Sequence, residues 1–165
     1  MSSSSHPLFE LPLTQGGALG LMPCPGTLSL SLAEALQQVK DWGAEAVLTL
    51  MEPDELVLHG VGELGHQVQA LGLTWFHLPI EDDHAPEAAF DSAWATQGQA
   101  IVDLLQRGGK LALHCRGGSG RTGLIAARLL LALGWPEAEA VAAVKALRPK
   151  ALSLPVHCQW LAQQS

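Results

Sequence analysis

Residues 114 to 123, His-Cys-Arg-Gly-Gly-Ser-Gly-Arg-Thr-Gly, gather side chains suited to holding and attacking an anion. Leu111, Ala112 and Leu113 ahead of them read as a buried strand, and the apolar run Leu124 to Leu133 behind them reads as a helix. A tight turn that opens a helix aims unpaired backbone N–H groups into one concavity. The helix dipole adds partial positive charge there, so such a turn binds phosphate. Gly117, Gly118 and Gly120 let the backbone approach the anion without a Cβ in the way. Cys115 stands at the strand end and Arg121 closes the turn, where a planar guanidinium takes two phosphate oxygens together. The same field favours a thiolate at Cys115.

Other glycine-rich motifs fail on single residues. Gly118, Gly120 and Gly123 fit the dinucleotide pattern G-x-G-x-x-G, which needs an acid at the end of a second strand about 20 residues on. Here Glu137 and Glu139 follow Pro136 at a helix start. A Walker loop would need Gly at Cys115 and Lys at Arg121. A serine-hydrolase elbow would need Gly where Arg121 stands.

His114-Cys115, five residues and then Arg121-Thr122 resembles the signature loop of the cysteine-dependent protein phosphatases. Three further stretches are similar to the cyclin-dependent-kinase-associated branch of the dual-specificity group, in that branch's order: Ala18 to Leu21 with Pro25-Gly26, Glu55-Leu56, and His77 to Asp82. The resemblance spans roughly residues 17 to 162.

It implies a phosphatase that needs no metal or cofactor and hydrolyses phosphomonoesters on proteins, on tyrosine and on serine or threonine, through a phosphocysteine. Cys115 would attack phosphorus. The backbone of Arg116, Gly117, Gly118, Ser119 and Gly120, with the Arg121 side chain, would hold the three equatorial oxygens that carry the transition-state charge. The resemblance makes Thr122 the hydroxyl that hydrogen-bonds the sulfur and eases its departure, and His114 a buried partner that orients the Cys115 backbone. The leaving oxygen needs a proton, and residue types alone leave Glu81, Asp82 and Asp83 as candidates. The resemblance selects Asp82. Two alternatives remain: the same chemistry on a phosphoinositide or an RNA 5′ end, and a module that binds phosphorylated partners without turnover. Relatives of the former kind tend to carry lysines in the loop, where this chain has Arg116. A pure binder would not need the thiolate. The chain has no Tyr to stack on a phosphotyrosine ring, which argues against strict tyrosine specificity.

At 165 residues the chain predicts one domain, residues 8–165, behind a flexible tail of residues 1–7. A net charge of −7 argues against nucleic acid and anionic membranes as partners, so anion capture must be local. A phosphorylated protein is the expected partner, with the chain a monomer. Three scattered cysteines make neither a disulfide framework nor a metal site, and with no signal segment visible the cytoplasm is expected. Cys24 is either a small buried hydrophobe or a redox partner of Cys115, and Cys158 is expected to face the core. Arg148 and Lys150 either attract an anionic substrate or form an ordinary basic helix end.

Strand and helix patterns alternate from Ala18 onward, which predicts an α/β fold: a single-domain, mostly parallel twisted sheet flanked by helices, as in dual-specificity phosphatases. A hairpin about Gly16-Gly17 precedes it, and Ser31 with Glu34 predicts a capping box ahead of Leu32 to Trp42. Glu52 to Asp54 reads as a turn. Ligands of such sheets lie at the carboxyl ends of the strands, which puts Pro25-Gly26, Asp82 and Cys115 at one rim.

Overall fold

A computed structural model describes residues 5–164. Strand β1 (Phe9–Pro12) pairs antiparallel with β2 (Ala18–Met22), the expected hairpin. Strands β3 (Ala46–Thr49), β4 (Thr74–His77) and β5 (Lys110–His114) complete a sheet of order β1-β2-β5-β3-β4, parallel from β2 onward.

The strands carry apolar side chains on both faces, as a covered parallel sheet requires. Alternate residues serve opposite cores: Leu111 and Leu113 of β5 join one cluster and Ala112 the other, while in β3 Ala46 and Leu48 oppose Val47. The smaller core receives Leu36 and Val39 of α1 (Leu32–Trp42) and Leu64 and Val68 of α3 (Leu64–Ala70). The larger receives α4 (Ala88–Gln106), α5 (Gly120–Ala132), α6 (Glu137–Leu147) and α7 (Pro155–Ala162). The predicted cap is present on α1: Ser31 Oγ accepts from the Glu34 N–H, and Glu34 accepts from the Ser31 N–H. Gly43 ends the helix in the left-handed region, φ 113°.

Three expectations change. The expected turn at Glu52 is a helix, α2 (Pro53–Leu58), with proline in its first turn and Glu55 reaching back to the Glu52 N–H. Of the expected tail, residues 1–4 lie outside the described residues. His6 is buried, however: its backbone N–H donates to Gln38 and its Nε2 lies 2.9 Å from the Pro23 carbonyl, so the chain is already packed before Pro7. Cys158 is exposed, its thiol 3.1 Å from the Leu152 carbonyl, because short α7 buries His157 and Leu161 instead.

The parallel strands end together, with Met22 opposite His114 and Thr49 opposite both His114 and His77. Among the described residues no helix is long and apolar enough to cross a membrane. Nor do they contain a cluster of His, Cys, Asp or Glu that could hold a metal ion.

Candidate active site

Strand β5 delivers Cys115 to the rim, and α5 begins at Gly120, so the turn between them spans residues 115–119. Cys115 is 4% exposed, and its sulfur accepts the Gly118 N–H at 3.3 Å. Gly118 has φ +81°, and a Cβ there would lie 2.6 Å from the Met22 carbonyl carbon and the Pro23 nitrogen. Only glycine fits this crossing of the turn over the end of β2. The Cys24 N–H donates to the Arg116 carbonyl at 2.9 Å, a second tie between the two segments.

Arg121 is 1% exposed, and its donors can be accounted for one by one. Nη1 donates to Glu55 Oε1 at 2.7 Å and to the Ile80 carbonyl at 2.9 Å, and Nη2 donates to Glu55 Oε2 at 2.7 Å. Glu55 therefore occupies the outer edge of the guanidinium. The Nε–H and the second Nη2 hydrogen stay unused on the other edge, where two oxygens of one phosphate fit. Asp82 Oδ1 lies 3.4 Å from Nε, an ion-pair distance without hydrogen-bond geometry. Burial works against the charge of both partners, but the Glu55 hydrogen bonds and the surrounding negative charge keep Arg121 above its ordinary pKa. Burial is the largest single influence on the Glu55 carboxyl and raises it, but the hydrogen bond and charge of Arg121, with the Glu52 N–H and His59, together hold it below the usual carboxylate range. α2 thus supplies the residue that orients the clamp.

His114 sits in a directional chain. The Trp75 indole N–H can only donate and does so to Thr49 Oγ1 at 2.9 Å. The Thr49 hydroxyl is then free to donate to His114 Nε2 at 2.8 Å. That leaves the hydrogen on Nδ1, which donates to the Cys115 carbonyl at 3.0 Å. Burial pushes the imidazole pKa down to about 4, against the opposing pull of the Cys115 carbonyl, so His114 is neutral. His114 thus meets the Cys115 backbone at its carbonyl.

Asp82, Asp83 and His84 lie on an exposed arch between buried Ile80 and Pro86. Asp82 is the acid that approaches Arg121, while Glu81 pairs outward with His84 at 2.7 Å. Asp83 takes φ 63°, its N–H donating to Asp82 Oδ1 at 3.1 Å. The Asp82 carbonyl, 2.8 Å from His84 Nδ1, raises the pKa of that imidazole, as does the acidic surround.

Thr122 departs from expectation: its hydroxyl is fully buried without a hydrogen-bond partner, and the bond to the Cys115 sulfur is not formed. Arg148 also behaves differently. Its Nε donates to the Gly118 carbonyl and its Nη2 to the Gly117 carbonyl, each at 3.1 Å, with a 2.8 Å bond to Ser119 Oγ. Its guanidinium lies 4.4 Å from the Phe9 ring centroid. Arg148 is therefore a buttress behind the turn, while Lys150 and Arg116 remain exposed. Cys24 is fully buried, and burial first, with the charge of Cys115 second, pushes its thiol up to about 12. Thr49, Trp75 and His157 carry no local signal of a role in the sequence. Glu55 does carry one, as the acid at the third position of a proline-started helix.

A model of the family described as polymorphic toxin system, DSP-PTPase phosphatase matches residues 22–135. Rat cyclin-dependent kinase inhibitor 3 is 30% identical over 119 residues, which cover 70% of this chain and 55% of that protein. The tyrosine-protein phosphatase CDC14 of Saccharomyces cerevisiae is 32% identical over 80 residues, 48% of this chain and 14% of that protein. The chain thus spans about half the length of the first relative and a small part of the second. A crystal structure of kinase associated phosphatase, with serine substituted for its catalytic site cysteine, aligns with a TM-score of 0.86 at 23% identity, covering 98% of this chain and 95% of that one. At that identity the likeness concerns the fold.

Proposed function

We propose that this chain, which belongs to the DSP-PTPase family of dual-specificity phosphatases, hydrolyses phosphomonoesters on proteins through a phosphocysteine formed on Cys115. The observation that carries the reading is the donor arrangement of Arg121. Glu55 and the Ile80 carbonyl hold one side of the guanidinium, so its free edge faces the site beside the Asp82 carboxyl.

The Cys115 thiolate attacks phosphorus, and the bond from phosphorus to the substrate oxygen breaks. That oxygen leaves with the proton of Asp82. The loop amides and the Nε and Nη2 hydrogens of Arg121 take the equatorial oxygens, supplying the positive charge that the transition state needs. Asp82, now a carboxylate, accepts a proton from water as the water oxygen attacks phosphorus, and the phosphorus–sulfur bond breaks to return the thiolate. The buried, unpaired Thr122 hydroxyl is a donor in reserve for that departing sulfur. An unsatisfied buried hydroxyl costs about 1–3 kcal/mol, which a role in one step of the cycle explains.

Phosphorylated proteins are the preferred substrates because the rim is shallow in positive charge: Arg116 and Lys150 are its exposed cations and the chain is acidic. A thiolate nucleophile also suits a reducing compartment such as the cytoplasm. The test is hydrolysis of an aryl phosphate in EDTA with acid quenching to capture phosphocysteine at Cys115, followed by a phosphopeptide panel beside inositol phosphates and 5′-phosphorylated RNA. Turnover that appears only with an added divalent metal rejects the mechanism, and a preference for either non-protein class rejects the substrate assignment.

A further inference from the structure

The arch that carries Asp82 is tied to the C-terminal helix by one imidazole. His157 in α7 is 1% exposed, and its Nε2 lies 2.9 Å from the His84 carbonyl. A carbonyl only accepts, so Nε2 bears the hydrogen. Nδ1 is buried and has no partner. A Cβ placed on Gly120 would lie 4.0 Å from Cε1, so the ring rests against the first residue of α5, next to Arg121. An apolar side chain would fill this space without stranding a nitrogen, so packing alone does not account for a histidine here.

Its position along the arch gives a reason. On the upstream side of Asp82, the Ile80 N–H donates to the Leu50 carbonyl and the Ile80 carbonyl accepts from Arg121. Within the arch run His84 N–H to the Glu81 carbonyl, His84 to Asp82 and Glu81, and Asp83 N–H to Asp82. These shape the arch, and Asp82 itself meets the rest of the protein through its 3.4 Å ion pair with Arg121. The His157 bond supplies a fixed point on the downstream side. Asp82 is then suspended between two ties, one from Arg121 and one from His157.

We propose that His157 is a positioning residue for Asp82: by holding the His84 carbonyl it keeps the Asp82 carboxyl at the free edge of Arg121, where a leaving oxygen receives its proton. This rests on the reading of Asp82 as the general acid. Acid catalysis matters most for poor leaving groups, so the effect of His157 should depend on the leaving group, whereas a loss of fold or of the thiolate would lower every rate alike.

The test compares His157→Asn, whose amide nitrogen falls short of the His84 carbonyl, with His157→Gln, whose amide nitrogen reaches about as far as Nε2. Each is made in the wild-type chain and in Asp82→Asn. His157→Asn should lower kcat on an alkyl phosphate by about 10- to 100-fold, the scale of a misplaced catalytic group, and on a nitrophenyl ester by less than about threefold. His157→Gln should restore most of the loss. In the Asp82→Asn background neither change should cost more, since a residue acting only through Asp82 has nothing left to position. Alkylation of Cys115 by iodoacetate should proceed at wild-type rate in both. Equal losses for both leaving groups, equal behaviour of Asn and Gln, or a further loss in the Asp82→Asn background would each overturn the proposal. If His157→Asn does not fold, His157→Leu, which fills the space without a donor, takes its place: a loss selective for the alkyl phosphate supports the proposal, and wild-type kinetics on both substrates overturn it. If Asp82→Asn itself slows both substrates equally or neither, the acid assignment fails and this proposal with it. A normal Asp82→Asn profile with a flat His157→Asn profile rejects this proposal alone.

Discussion

The turn at residues 115–119 and the arch at residues 81–84 lie on either side of Arg121 and are held in different ways. The turn grows out of a fully covered strand and runs into a buried helix, and Gly118 lies so close to Met22 and Pro23 that no side chain fits between them. Arg148 fastens its carbonyls from behind. The arch is exposed, and a carboxylate-loaded guanidinium and a distant imidazole hold it at its two sides. Turn geometry is therefore dictated locally, whereas arch geometry depends on residues far away in the chain. A change in the turn should damage both binding and chemistry, and a change near the arch should affect proton delivery and leave the anion cradle intact.

The largest effect that sharpens this contrast is Cys115→Ser. It should bring turnover down to background while retaining binding of inorganic phosphate, because the amides and Arg121 remain. Calorimetry beside a turnover assay checks both, and residual turnover above background would mean that another group is the nucleophile.

His114 gives the turn a signature in stability. Its folded pKa, about 4, lies below the ordinary value of 6.5. As pH falls from 6.5 towards 4, the unfolded chain takes up a proton that the folded chain refuses, so stability is full above 6.5 and declines across that window. The loss should approach about 3 kcal/mol at pH 4 relative to His114→Asn, which carries no titrating ring. Parallel urea-unfolding curves of the two proteins across that range would show the imidazole to be less buried than it is here.

Glu55→Gln breaks the comparison at its joint, since Glu55 orients the clamp that both regions share. The charge goes but the shape stays, and kcat/KM should fall by about 10- to 100-fold, the consequence of a loosened guanidinium. Unchanged kinetics would mean that the Ile80 carbonyl alone suffices to aim Arg121. The smallest effect belongs to Asp83→Asn. Asparagine tolerates the left-handed backbone as aspartate does, and kcat should stay within about twofold of wild type. A loss dependent on leaving group would move the general acid from Asp82 to Asp83.

What the sequence shows follows the same division. β5, the turn and α5 are legible because a strand, glycines and a helix start are short-range signals, and the α1 capping box spans only Ser31 to Glu34. Pro53 and Glu55 signalled α2 equally well, yet turn-forming neighbours hid it. The partnerships Arg121–Glu55, His114–Thr49 and His157–His84 join residues 66, 65 and 73 positions apart, and no local pattern marks them. Arg148 was visible as a cation beside the site. Only the folded geometry commits it to the carbonyls of the turn, and only packing turns Cys158 outward.

The close crossing of Gly118 over Met22 and Pro23 bears on the thermodynamics of anion capture. Folding has already met the entropic cost of ordering the cradle, because the turn is locked against the end of β2 before any ligand arrives. Phosphate then enters a receptor that is already shaped and loses mainly its own freedom and its hydration. Its binding should show a small heat-capacity change and little coupling to denaturant, unlike a loop that orders on contact.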